Sequence, residues 1–148
     1  MSAKRIIVIG GSAAGPKAAS KARRMDENAE ITIFQKASDL SMASCGYPYY
    51  IGGFFNDRNQ LLCSPAGVVR DSKFFLNAKN ITTKVSTEVT AIDRGNKQIK
   101  FTDMVTGEKG VAGYDKLIIA TGATARKPPI PGVELEGVTT LQSLHDAD

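Results

Sequence analysis

The sequence predicts an α/β fold: a parallel sheet with helices, carrying an antiparallel β-meander. Three observations predict it. Arg5 to Ile9 is a nearly continuous apolar run, followed at once by a glycine-rich turn, a helix-like stretch and a second strand-like run, Glu30 to Gln35. Strand, turn, helix and strand within about thirty residues form a βαβ unit. From Ile81 the residues alternate or are β-branched, which reads as a meander over roughly residues 81–113. Tyr114 to Ala120 is a further buried strand, ending at Thr121-Gly122-Ala123.

Composition sets the limits. The 148 residues suffice for one domain with a real core. Hydrophobic residues at 42% and charged residues at 23% give the balance of a soluble globular protein, and no apolar run approaches a membrane span. The N-terminus enters Lys4-Arg5 and the first strand directly, so no signal peptide is expected. A net charge of +4 mildly favours anionic partners but is too small to argue for nucleic acid. His145 is the only histidine, which excludes a histidine-rich metal site, and Cys45 and Cys63 make a poor zinc site. Two cysteines are no disulfide framework either, and they point to a reducing cytoplasm.

In the first βαβ unit, Gly10-Gly11-Ser12-Ala13-Ala14-Gly15 follows the strand. Gly10 allows the tight bend and Gly15 lets the helix, from about Ala13 to Met25, pack close to the sheet. The first helical N–H groups then face a pyrophosphate, with the helix dipole behind them. Ser12 stands where the middle glycine of G-x-G-x-x-G belongs. At the end of the second strand, where an acidic residue usually takes ribose hydroxyls, stand Gln35 and Lys36. A structural turn without ligand is the alternative, and the strand and helix context favours the nucleotide. Lys17, Lys21 and Arg24 share one face of the helix. They form either a solvated face or a site for a second phosphorylated ligand.

The run Ser41 to Gly53 sets Cys45 among small residues, with Asp39 and Ser41 as candidate helix caps before it. A thiol at a helix start feels the positive end of the dipole and attacks disulfides and polysulfides as thiolate. A small buried hydrophobe is the competing reading of Cys45. Further on, Ser64-Pro65 reads as N-cap and first helical position, with a helix from Pro65 to about Leu76 and Val68, Val69 and Phe75 inward. Cys63 is read as packing. Arg94 to Lys97 and Thr106 to Glu108 are turns. Ala125 to Gly132 is a stiff extended exit, and Val138 to Leu141 reads as a last strand.

The glycine turn, the Ser41 to Gly53 block and Tyr114 to Ala123 stand in an order and spacing that resembles the N-terminal part of the FAD-dependent pyridine nucleotide-disulfide oxidoreductases, in their single-cysteine branch. Ser44-Cys45-Gly46-Tyr47-Pro48-Tyr49-Tyr50-Ile51-Gly52-Gly53 looks most like coenzyme A-disulfide reductases and NAD(P)H polysulfide or persulfide reductases. The resemblance covers essentially the whole chain and implies a Rossmann-like FAD-binding domain. It implies FAD pyrophosphate on Gly10, Ser12, Ala13, Ala14 and Gly15, ribose near Gln35 and Lys36, and adenine bordered by Val89. The flavin would lie near Ser41, Cys45 and the Ala120-Thr121-Gly122 turn. Cys45 would be the redox thiol, and Lys17, Lys21, Arg24, Ser41 and Ser44 would bind coenzyme A, in agreement with the basic helix face.

The resemblance also implies that the NAD(P)H-binding and dimerisation domains lie outside residues 1–148, so that the chain is an N-terminal fragment, inactive by itself. The intact protein is then a cytoplasmic homodimer acting on a small-molecule disulfide or polysulfide, without nucleic-acid or membrane partners. Two other readings stand beside it. One is an NADH oxidase or peroxidase that cycles Cys45 through sulfenic acid; the other is a non-catalytic nucleotide-binding module.

Overall fold

A computed structural model of the chain describes residues 3–148. β1 (Arg5–Ile9) pairs in parallel with β2 (Glu30–Phe34) on one side, and helix α1 (Ala14–Met25) connects the two. The short helix α2 (Tyr47–Ile51) and helix α3 (Ser72–Lys79) lie between β2 and β3 (Thr82–Lys84). β4 (Thr87–Asp93), β5 (Gln98–Asp103) and β6 (Lys109–Gly113) form an antiparallel sheet, after which β7 (Lys116–Ile119) returns to the parallel one. Helix α4 (Leu144–Ala147) ends the chain. The parallel sheet has the order β3-β2-β1-β7.

After the exposed Arg5, β1 is apolar from Ile6 to Ile9 because it is covered on both faces. Ile6 and Val8 point to the helical layer, where they meet Ala19 of α1, Ile31, Ile33 and Phe75 of α3. Ile7 and Ile9 point the other way, to Phe34, Ile99 and Tyr114 under the antiparallel sheet. Successive strand side chains alternate faces, so one run of five residues holds three layers together. A third cluster, Tyr47, Leu61, Leu62 and Leu144, lies beneath the cysteine segment.

Several expectations need correction. Thr82–Lys84 is no strand of the meander: β3 pairs in parallel with β2, and the antiparallel sheet begins at Thr87. The helix expected from Pro65 begins at Ser72, with the Asp71 carboxylate accepting from the Phe74 amide at 2.8 Å. Ser64 closes a turn instead: its hydroxyl accepts from the Val68 amide, its carbonyl accepts from Gly67, and Cys63 bridges to Val69. Gly67, at φ +75, suits that turn and disfavours helix. Phe75 is buried as expected, while Val68 is exposed. Residues 138–141 form no strand.

α4 carries a capping box: the Ser143 hydroxyl accepts from the Asp146 amide, and the Asp146 carboxylate accepts from the Ser143 amide at 2.8 Å and the Gln142 amide at 2.9 Å. These backbone N–H groups, Gln142 first, hold the Asp146 carboxyl below the usual carboxylate range. A depressed native pKa contributes stability above the unfolded value of about 3.9, and that contribution is lost as pH falls through the native value. Hydrogen-exchange protection of α4 should therefore decline below about pH 4. In Asp146→Asn it should be weaker at neutral pH and insensitive to acid. Acid loss of equal size in that variant would place the titrating group elsewhere.

Among the described residues no helix is long and apolar enough to cross a membrane, and no group of three metal-ligating side chains occurs.

Candidate functional site

The glycine turn sits at the C-terminal end of β1. Gly10 adopts φ +107, and a Cβ there would collide with the Ala120 carbonyl oxygen. A Cβ at Gly15 would collide with the Gly10 carbonyl oxygen. Backbone, not side chains, therefore forms this crossing of β1, α1 and the segment after β7. No side chain caps α1, and its first turn holds no acidic residue. The amides of Ala14 and Gly15 have no partner inside the helix, and Pro16, on the first turn, has no N–H to leave unpaired. Ser12, Ala13 and Ala14 are exposed. The result is an open cradle of backbone donors, fit for the pyrophosphate of a dinucleotide such as FAD.

Gln35 is buried and serves this turn. Its carbonyl oxygen accepts from the Gly11 amide at 2.7 Å, and its amide donates to the Asp39 carbonyl at 3.2 Å. One amide hydrogen and one lone pair remain for a ribose hydroxyl. Lys36 is exposed and paired with Glu88 at 2.8 Å. Val89 is half-buried on β4 and lines a shallow apolar cleft with Ile9, Ile119 and Thr121.

The cysteine segment is tied to the same turn, because the Ser41 amide donates to the Gly11 carbonyl at 2.8 Å. Ser41 itself takes φ +56. Neither Ser41 nor Asp39 caps the cysteine turn: Ala43 stands at its N-cap without a side-chain bond, and Asp39 pairs with Arg58 at 3.1 Å. Cys45 lies in a single 3₁₀ turn, Ser44–Gly46, ahead of the five-residue α2. The helix behind the thiol is therefore short, and its aligned dipoles are few. The buried reading of Cys45 is overturned, since its side chain is exposed. The turn rests on a second 3₁₀ segment, Arg58–Leu61: the Ala43 amide donates to the Leu61 carbonyl at 2.8 Å, and a Cβ at Gly46 would collide with the Leu61 side chain. Cys63 is half-exposed in its own turn.

Residues 41–45 contribute to two clefts, Ser41 and Met42 to one and Ser44 and Cys45 to the other. The first, about 390 Å³, is lined by Ser12, Lys17, Ser20, Arg24, Ser41 and Met42, and closed by Arg70, Phe74 and Lys79. The second, also about 390 Å³, is lined by Ser44, Cys45, Tyr47, Pro48, Leu141 and Gln142. Of the five expected coenzyme A residues, Lys17, Arg24 and Ser41 line the basic cleft, Ser44 lines the thiol cleft, and Lys21 lines neither. Helix geometry explains Lys21: Ser20 and Lys21 flank the Lys17–Arg24 row on opposite sides, and the cleft lies on the Ser20 side. Arg70, Phe74 and Lys79 were not legible as site residues. The Lys79 ammonium lies 5.9 Å from the Phe74 ring centroid, and only tertiary packing brings that pair across from α1.

The family description "Pyridine nucleotide-disulphide oxidoreductase" matches residues 4–148. The coenzyme A disulfide reductase of Staphylococcus haemolyticus is 38% identical over 145 residues, 98% of this chain and 31% of that enzyme. A solved NAD-dependent persulfide reductase from A. fulgidus superposes with a TM-score of 0.90 at 44% identity, over 97% of this chain and 26% of the other. A water-forming NADH oxidase from Lactobacillus brevis, solved with NADH bound, gives 0.82 at 25% identity, over 98% and 31%. The chain thus spans about a third or less of the length of these relatives.

Proposed function

The chain belongs to the pyridine nucleotide-disulphide oxidoreductase family, and from that premise we propose that the intact protein is a cytoplasmic, FAD-dependent reductase that uses NAD(P)H to reduce coenzyme A disulfide, a persulfide or a polysulfide at Cys45. Residues 1–148 are the N-terminal part of its FAD-binding domain. The flavin, when bound, supplies the electron pair that NAD(P)H delivers.

The protein's own residues do the rest. Gly10 to Gly15 bind the pyrophosphate through backbone N–H groups, and Gln35 keeps the turn in shape while offering its remaining amide hydrogen to the ribose. Ser41 ties the cysteine segment to that turn, and Ala120-Thr121-Gly122, whose first two residues lie against Gly10, would border the flavin. Cys45, exposed at the mouth of its cleft, attacks one sulfur of the substrate as thiolate. A bond forms between Cys45 Sγ and that sulfur, the substrate S–S bond breaks, and the departing thiolate takes a proton from solvent. Two electrons and one further proton then release the second thiol and restore Cys45 as thiolate.

One observation carries the choice of substrate: residues 41–45 wall a basic cleft at one end and bear the thiol at the other. A molecule with a phosphorylated nucleotide at one end and sulfur at the other suits that arrangement, and inorganic polysulfide uses only the thiol end. In the intact protein, Arg24→Glu and Arg70→Glu should each raise KM for coenzyme A disulfide by about tenfold, the equivalent of about 1.4 kcal/mol. The effect on inorganic polysulfide should be much smaller. Equal losses on both substrates would reject nucleotide recognition in this cleft.

A further inference from the structure

Arg58 is the first residue of the 3₁₀ segment on which the cysteine turn rests. Its Nη2 atom donates to the Asp39 carboxylate at 3.1 Å and lies 3.3 Å from the Asp148 carboxylate. Asp39 precedes the cysteine turn, and Asp148 follows α4. Asp148 also accepts from the Tyr50 hydroxyl of α2 at 3.2 Å. Its neighbours complete the clamp: Tyr47 and Leu144 bury against Leu61 and Leu62. Just before α4, Leu141 and Gln142 form the wall of the cleft that faces Cys45. The cysteine turn has no buried residue and no side-chain cap of its own. Its position relative to that wall is therefore set by groups outside it, and among them the Arg58 guanidinium reaches carboxylates on both halves.

We propose that Arg58 is a positioning residue that holds the cysteine turn and the Leu141–Gln142 wall in one register, and so sets the size of the sulfur compound that reaches Cys45. This deepens the reading of Cys45 as the redox thiol and rests on it. An exposed pair contributes little to stability. Here the Asp39 side chain is only 18% exposed, and removing the arginine leaves two carboxylates facing one vacated site.

The test is made in the intact protein in a Cys63→Ser background, by labelling the Cys45 peptide with iodoacetamide or with the bulky N-(1-pyrenyl)maleimide and quantifying it by mass spectrometry. Arg58→Gln and Asp148→Asn should each raise the bulky-to-small rate ratio about fivefold. The double variant should fall well short of the sum, because the two side chains share the Arg58–Asp148 contact. An unchanged ratio with a lowered melting temperature means a purely structural role and overturns the proposal. Additive effects overturn it as well, since they deny a shared path. Asp148→Asn, at an exposed position, gives the answer even if Arg58→Gln fails to fold. Labelling needs no turnover, so a failed redox role for Cys45 would be read separately, as reductase activity that persists in Cys45→Ser.

Discussion

Cys45→Ser should reduce disulfide reduction by the intact protein by about a thousandfold or more while leaving fold and flavin content unchanged. The loss is chemical. A serine hydroxyl is not ionised near neutral pH and cannot form the sulfur–sulfur bond on which the exchange depends. The retained fold follows from the geometry. The bonds that shape the turn are backbone bonds, from the Gly46 amide to the Ala43 carbonyl and from the Ala43 amide to the Leu61 carbonyl, both 2.8 Å. The exposed thiol takes no part in them. Turnover and the flavin absorbance of the purified variant check the two halves separately. A variant that keeps more than about a tenth of the wild-type rate would leave the thiol without a catalytic role.

Gly15→Ala should destabilise the protein by about 2–4 kcal/mol and strip flavin from it. The added methyl would overlap the Gly10 carbonyl oxygen and sit 3.2 Å from Val8 Cγ1. Neither neighbour yields easily. The first is backbone in the turn itself, and Val8 is wholly buried in the central strand. Relief requires α1 to move off the sheet, which pulls the helical N–H groups away from the pyrophosphate they would bind. Gly95→Ala is the control, because its nearest neighbour, Asp93 Oδ1, lies at 3.5 Å, an ordinary contact. Urea midpoints and the flavin-to-protein ratio should fall for Gly15→Ala alone. Equal midpoints for the two variants would mean that the helix–turn contact is loose.

The glycine turn was legible because it is written in contiguous residues; the cysteine segment was legible as a turn, but its expected caps, Asp39 and Ser41, bond elsewhere. Also legible were β1 and β2, whose apolar runs are largely buried, and α1, whose boundaries agree to within one residue of Ala13 to Met25. β7 was legible as a strand, but the burial expected of it fails, because it stands at the sheet edge with Ile119 61% exposed. Errors arose where two local signals competed. Ser64-Pro65 and Asp71-Ser72 both resemble helix starts, and Gly67 with the Cys63–Val69 bridge decided for the second. Others arose where a pattern was right but its partner was not local. Residues 82–84 read as strand, yet nothing in them says that they join β2 rather than β4.

By itself, then, the sequence determined the order of strands and helices that builds the layers and the backbone of the glycine turn, because backbone conformation and burial periodicity are encoded residue by residue. Only the tertiary structure decided that Arg70, Phe74 and Lys79 complete the basic cleft opened by Lys17 and Arg24, and that Arg58 joins Asp39 to Asp148 beside Cys45. The physical reason is that charges and aromatic rings far apart in the chain carry no periodic signal of their meeting, which depends on where the core places the elements that hold them.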